Sequence, residues 1–135
     1  MDKHCQVVNL LPAGSRNGYG VGRDVECSAD LQERIAVSSQ IGHIYLTIEG
    51  GPGVAKVALA AFERGAFVLP MASTGGASAG MFGFPAAALE RPSYASQEQW
   101  DCLTQPGVEV DSAALAIVQL VRMLISGGGA RCWEA

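Results

Sequence analysis

Three short apolar stretches divide this chain, and the segments between them carry apolar residues at helical spacing. The stretches cover residues 6–11, 43–49 and 66–71, and within each of them the apolar side chains are nearly continuous. Continuous apolar strands that alternate with helices are typical of a parallel sheet covered on both faces. The pattern therefore predicts an α/β protein in which the three strands run parallel in one sheet.

Local signals mark the ends of the predicted helices. Asp30 is placed to cap a helix over about residues 31–40, and Gly65 to stop a helix over about residues 54–64. Ser96 is placed to cap a short helix that ends near Leu103. The segment over residues 15–27 is rich in glycine and polar residues, which predicts a binding loop.

The last helix is predicted to be capped by Asp111 or Ser112 and to end at the glycine run over residues 127–129. A chain of 135 residues has the usual size of one domain. We therefore expect one domain over residues 1–126 and a tail over residues 127–135. The apolar stripe of the last helix is wide and contains Leu115, Val118, Val121, Leu124 and Ile125.

Charge and cysteine content exclude several classes of function. The formal net charge is −4 and the nine basic residues are scattered, which argues against binding to nucleic acid or to an anionic membrane. No apolar run approaches the roughly 20 residues of a membrane span. The four cysteines form no C-x-x-C pair, and His4 beside Cys5 does not have the spacing of a metal site. We expect a cytoplasmic protein with reduced thiols and no bound metal.

The strand over residues 43–49 leads directly into a glycine turn and a helix. Gly50, Gly51 and Gly53 let backbone N–H groups approach a ligand, and a helix start adds roughly half a positive charge. The turn and Val54 therefore form a candidate phosphate cradle. A tight turn without a ligand is the alternative interpretation.

A second glycine loop follows the next strand. Its Thr74, Gly75 and Gly76 are candidate phosphate or ribose contacts, and close backbone packing is the alternative. Ser15 and Arg16 follow the first strand, where Arg16 suits phosphate geometry unless it is simply solvated. The remaining candidate is Glu49, a carboxylate beside the cradle that would accept ribose hydroxyls or act as a base.

The order of these elements, with Gly50-Gly51-Pro52-Gly53 and then Thr74-Gly75-Gly76 some twenty residues later, resembles the lysine-decarboxylase-like or LOG-type Rossmann proteins. That superfamily includes molybdenum-cofactor carrier proteins and the nucleotide-sensing domains of melastatin-type channels. The resemblance implies a Rossmann-like three-layer α/β/α fold with a mostly parallel sheet. It also implies a nucleotide or molybdopterin-type ligand.

Phosphoribohydrolases of this family carry Gly-Gly-x-Gly-Thr-x-x-Glu, but here Val54 replaces the Thr and Val57 the Glu. A valine side chain can neither bind phosphate nor relay charge at a reacting ribose. The resemblance thus implies a nucleotide-binding protein without phosphoribohydrolase activity. The alternatives are a nucleoside 5′-monophosphate phosphoribohydrolase with displaced catalytic residues and a remnant that binds nothing.

The family's first strands have no counterpart before residue 6. Either Met1 is an internal start or the chain is a shortened variant. A sheet without those strands exposes unpaired edges, which dimerisation would cover. We therefore expect a homo-oligomer.

Overall fold

The structure, a computed structural model, describes residues 7–128, which divide into two compact units, residues 7–38 and residues 39–128. The first unit contains β1 (Val8–Leu11) and β2 (Arg23–Glu26), which pair in parallel. The boundary between the units falls within α1 (Leu31–Ile41). The prediction of one domain over residues 1–126 is not tested, and most of the predicted tail lies outside the described residues.

β2 corrects the prediction of a continuous loop over residues 15–27. Its sequence is mostly charged, so no apolar pattern marks it as a strand. Backbone pairing forms it: the N–H of Arg23 donates to the carbonyl of Val7 at 2.9 Å, and that of Cys27 to Leu11 at 2.7 Å. The first predicted strand is confirmed as β1, and a β2 partner was missing from the prediction.

Asp30 caps α1 as predicted. Its Oδ1 accepts from the backbone N–H of Gln32 at 2.7 Å and from that of Glu33 at 3.1 Å. These two donors lie in the first turn of the helix, where backbone N–H groups have no partner within the helix.

The second unit contains a second parallel pair, β3 (Ile44–Ile48) and β4 (Phe67–Met71), joined by α2 (Pro52–Glu63). This confirms the strands predicted near residues 43–49 and 66–71 and their direction. The strands described form two separate pairs, so the α/β class with parallel strands is confirmed, whereas one continuous sheet is not found within residues 7–128.

Glycine and proline set the ends of α2. Pro52 occupies the first helical position, where its fixed φ suits the helix and its missing N–H costs nothing. This places the helix start two residues before the predicted one. At the other end Gly65 has φ +91° and donates to Phe62 at 3.0 Å, while Ala66 donates to Ala61 at 3.0 Å. These two bonds form a Schellman stop.

Two further helices complete the second unit. α3 (Gln97–Thr104) begins with a capping box in which Ser96 and Gln99 exchange hydrogen bonds, which confirms Ser96 as the cap. The N-cap of α4 (Val110–Met123) is Glu109, two residues before the earlier of the two predicted caps, so the prediction of Asp111 or Ser112 as the cap is wrong. The helix continues as a π-helical turn over Leu124–Gly128. Asp111 lies in the first turn of α4, where negative charge is favourable.

Alternate residues of β4 pack into two different apolar clusters. Val68 packs with the buried alanines of α2. Leu69 packs with Leu103 of α3 and Leu120 of α4, and all three are 0% exposed. Since successive strand residues point to opposite faces, the β3–β4 pair contributes to one cluster with α2 and to another with α3 and α4.

Arg64 links the end of α1 to β3 through hydrogen bonds from its guanidinium group. Its Nε donates to the carbonyl of Ser39 at 2.6 Å, and its Nη2 donates to the carbonyl of Gly42 and, at 3.1 Å, to the hydroxyl of Tyr45. The carbonyl of Ser39 is in the last turn of α1, where carbonyls have no partner within the helix. The guanidinium therefore satisfies acceptors that would otherwise depend on water.

We expect Arg64→Met to lower the free energy of unfolding by about 1–2 kcal/mol, because hydrogen bonds from a charged donor are lost while the aliphatic stem is kept. Urea denaturation measures the change. Arg64→Lys is the matched control, since it retains the charge without the planar fork and should lose less. A midpoint for Arg64→Met equal to that of the parent protein would contradict this role.

Candidate functional site

The two glycine loops meet where β3 and β4 end. The N–H of Ala77 donates to the carbonyl of Gly50 at 2.9 Å, and the N–H of Ser78 to the carbonyl of Glu49 at 3.0 Å. The carboxyl ends of parallel strands share one edge, which is the usual ligand crevice of open α/β sheets. The structure thus brings together Gly50, Gly51, Gly53 and Val54 with Thr74, Gly75 and Gly76.

Gly76 allows the two loops to touch, and Gly50 allows Val54 to pack over the first loop. A Cβ at Gly76, which has φ +60°, would lie 2.5 Å from the carbonyl oxygen of Gly50. A Cβ at Gly50, which has φ +86°, would lie 2.6 Å from Cβ of Val54. Both distances are far below van der Waals contact. Close packing, the alternative interpretation for the second loop, therefore describes Gly76 and applies to Gly50 as well.

Gly51 and Gly53 face open space instead. A Cβ built at either residue has nothing within 4 Å. Gly51 is the N-cap of α2 with φ −109° and provides no side-chain cap. Within residues 7–128, the backbone N–H groups of Gly53 and Val54 have no acceptor. This open first turn offers two free donors and the positive end of a helix dipole.

Thr74 holds the ends of the two strands together. Its Oγ1 donates to the carbonyl of Met71 at 2.6 Å and accepts from the N–H of Glu49 at 2.7 Å. The hydroxyl proton is therefore already donated to a backbone carbonyl. Thr74 can still accept one hydrogen bond from a ligand through its remaining lone pair. Gly75 has φ +84° and ψ −162°, a combination that essentially only glycine adopts.

Glu49 is a non-glycine residue in the left-handed region, with φ +49°. Its backbone is fixed there by the bonds to Thr74 and Ser78, and its side chain is exposed. Such a conformation costs about 1–3 kcal/mol and occurs often at functional sites. The carboxylate therefore stands in solvent directly before the glycine turn.

A buried hydroxyl pair beneath the loops was missing from the sequence-based candidates. Ser78 is 0% exposed; its Oγ donates to the carbonyl of Glu49 at 2.9 Å and lies 3.0 Å from Oγ1 of Thr47. The signal in the sequence is a polar Thr47 inside an apolar strand. Because both hydroxyls are satisfied, the pair supports the backbone of Glu49.

Ser15 and Arg16 belong to the first unit, whereas the glycine loops belong to the second. The N–H of Ser15 donates to the carbonyl of Pro12 at 3.0 Å in a turn. The pKa of Asp24 is lowered, chiefly by a hydrogen bond from the backbone N–H of Asn17. Hydrogen bonds from the side chains of Asn9 and Asn17 and the charge of Arg16 act in the same direction. Arg16 thus lies in the first unit together with Asp24, and its contact with a ligand stays a prediction.

The described part of the chain contains no set of side chains that could bind a metal ion. Among residues 7–128, no three His, Cys, Asp or Glu side chains cluster as metal ligands would. His4 and Cys5, considered for such a site, lie outside those residues. The chemistry that the glycine loops offer is instead the binding of an anion by backbone donors.

Comparisons with the models of known protein families, with curated proteins and with solved structures find no match. Among residues 7–128, one helix, Val110–Gly127, is long and apolar enough to cross a membrane by length and composition, and 22% of it is buried inside the protein. Core helices of soluble proteins pass the same test.

Proposed function

We propose that the protein binds the phosphate of a nucleotide or nucleotide-derived ligand at the glycine loops and does not cleave it. The observation that carries this is the open first turn of α2, where Gly51 and Gly53 leave room in front of unpaired backbone N–H groups. The position of this turn at the carboxyl ends of parallel strands adds to the argument.

The proposal includes a Rossmann-like three-layer fold of the LOG-type superfamily. The division of β4 side chains between a cluster with α2 and a cluster with α3 and α4 supports it, as does the parallel pairing of β3 with β4. A nucleotide or a molybdopterin-type ligand would each present a phosphate to the same donors.

Binding without catalysis follows from the side chains on the first turns of α2. Val54 is half-buried and packs on the cluster with α2, and Val57 is half-buried one turn later. Neither carries a group that stabilises a developing charge. Lys56, the charged residue between them, is exposed.

A phosphoribohydrolase with displaced catalytic residues is the second candidate, and the observation in its favour is Glu49. An exposed carboxylate held at φ +49° beside the open turn is placed as a substitute base would be. The test is incubation with AMP, followed by assay of free adenine and ribose 5-phosphate. Turnover that disappears in Glu49→Gln would establish the enzyme and overturn binding alone.

A thermal-shift panel tests the proposal against a remnant that binds nothing. The panel contains nucleoside monophosphates, NAD, ADP-ribose and molybdopterin. Ligand that binds only the folded state raises the unfolding temperature by mass action. A rise with at least one phosphate-bearing ligand is expected, and no shift with any of them would favour the remnant.

We expect Val54→Thr to tighten phosphate binding by about 0.5–1.5 kcal/mol, because the added hydroxyl can make one hydrogen bond at the open turn. The two side chains have nearly the same shape, so the contact with Gly50 should persist. Calorimetry with the ligand found in the panel measures the change. Val37→Thr, the same substitution at an exposed position of α1, should leave affinity unchanged.

Weaker binding by Val54→Thr than by the parent would argue against a phosphate at this turn. Adding Val57→Glu would rebuild the LOG-type motif in full. If the two valines are the reason that the parent does not hydrolyse nucleotides, the double variant should release ribose 5-phosphate and the parent should not.

A further inference from the structure

One face of α4 is apolar, exposed and lined by two opposite charges. On a regular helix, Leu115, Val118 and Arg122 fall within about 40° of Asp111 around the axis. Ile125 follows in the π-helical turn that continues α4. Leu115 is 59%, Val118 44% and Ile125 62% exposed. We call these five residues the α4 stripe. The opposite side of the helix is already packed in the core through Ala113, Ala116, Leu120 and Leu124.

The two charges at the α4 stripe have no counter-charge in the described structure. Asp111 lies in the first turn of α4 and Arg122 in the last, about 16 Å apart along the axis. Within residues 7–128, neither side chain forms an ion pair or a side-chain hydrogen bond. The stripe therefore carries an acidic end, an apolar middle and a basic end.

We propose that the α4 stripe docks against the same stripe of a second copy of this chain, with the two helices antiparallel. A two-fold axis between positions 116 and 117 would place Asp111 opposite Arg122 of the second copy and Leu115 opposite its Val118. The same register sets Ala114 opposite Gln119, a small residue facing a larger one. Each contact occurs twice, as an isologous interface requires.

The spacing of the charges is what selects this occupant. Arg122 follows Asp111 by three turns, and Leu115 and Val118 lie symmetrically between them, so the pattern is complementary to itself only when reversed. Opposite charges then meet at both ends, and like charges are kept apart. A groove of about 380 Å³ between α3 and α4, lined in part by Cys102, Leu115 and Gln119, lies beside the stripe.

A bilayer fits this surface less well. The stripe places Asp111 and Arg122 on the one side of α4 that is open, and burying either in lipid is costly. The other side is occupied by the core. A lipid contact is therefore an outcome for the test to exclude.

Interface size sets the expected strength. A single helix face is smaller than the roughly 800 Å² per partner of a standard interface. The dimer is accordingly expected to be weak, so its dissociation has to be followed over a wide range of protein concentration. Sedimentation velocity between about 1 and 300 μM protein should show a concentration-dependent change from one chain to two.

A charge-swap cycle tests the register. Asp111→Arg and Arg122→Asp each place like charges together and should raise the dimer Kd at least tenfold. The double variant restores both pairs and should return the Kd to within about threefold of the parent. Glu63→Arg, an exposed charge reversal at the end of α2, is the matched control and should leave the Kd unchanged.

Two further measurements keep the test decisive. Far-UV circular dichroism shows whether each variant is folded, since each swap opposes the dipole of α4. If a swap unfolds the chain, Leu115→Gln at an exposed position should still raise the Kd at least tenfold. A monomer at all concentrations, or a double variant no better than the single ones, would overturn the proposal. Flotation with phosphatidylcholine vesicles in place of self-association would assign the stripe to a bilayer.

Discussion

Gly51→Val is expected to abolish nucleotide binding while leaving the fold intact. Gly51 has an ordinary φ of −109°, and a Cβ there meets nothing within 4 Å, so the backbone tolerates a larger residue. The valine side chain would fill the space in front of the free N–H groups of Gly53 and Val54. Loss of those contacts should weaken binding at least about 100-fold, which corresponds to about 2.8 kcal/mol.

Calorimetry and thermal unfolding together measure this expectation. Gly127→Val is the matched control, because a Cβ at that glycine also meets nothing within 4 Å and its φ is not positive. The control should bind as the parent does, and both variants should unfold near the parent's temperature. Undiminished nucleotide binding by a folded Gly51→Val would place the phosphate site elsewhere.

Gly51→Val would exclude the ligand only through the volume of the new side chain. The glycine turn in the sequence also predicts a φ at Gly51 that other residues tolerate poorly. This prediction is wrong, because the φ of −109° is open to any residue. The constrained position is the neighbouring Gly50, with φ +86°. A run of glycines indicates that one of them has a positive φ. Which glycine has it depends on the side chains that pack against the turn. Here Val54 packs over Gly50 and leaves Gly51 extended.

Elements with strong local signals were predictable. β3, β4 and α2 combine continuous apolar stretches with a stop at Gly65, and the structure places them within a few residues of the predicted bounds. β2 was not predictable in this way. Its residues Arg23, Asp24 and Glu26 carry no apolar pattern, and its existence depends on backbone pairing with β1, which is a tertiary interaction.

The meeting of the two glycine loops was predictable because parallel strands end at one edge. The hydrogen bonds that each loop residue makes could not be predicted. Thr74 donates to Met71 and accepts from Glu49, and Ser78 supports Glu49 from below. These bonds join residues that are far apart in sequence, so no local pattern identifies them. The network also holds Glu49 in a conformation that its own preferences oppose.

Gly76→Ala should have the largest effect on stability of any single change in the loops. Its φ of +60° disfavours a side chain, and the new Cβ would lie 2.5 Å from the carbonyl oxygen of Gly50 and 3.1 Å from the carbonyl carbon of Glu49. Both neighbours are backbone, so relief requires the loops to separate. Separation would break the bonds from Ala77 and Ser78. We expect a loss of about 3–5 kcal/mol in the free energy of unfolding.

Gly65→Ala separates the two causes of this loss. Gly65 also has a positive φ, +91°, but a Cβ there meets nothing within 4 Å. It should therefore cost only the left-handed backbone penalty of about 1–2 kcal/mol. Urea denaturation of the two variants gives the difference, which isolates the contact between the loops. Equal losses would mean that the loops do not touch at Gly76 in solution, and the phosphate cradle would then lack the rigid support that holds the first turn of α2 open.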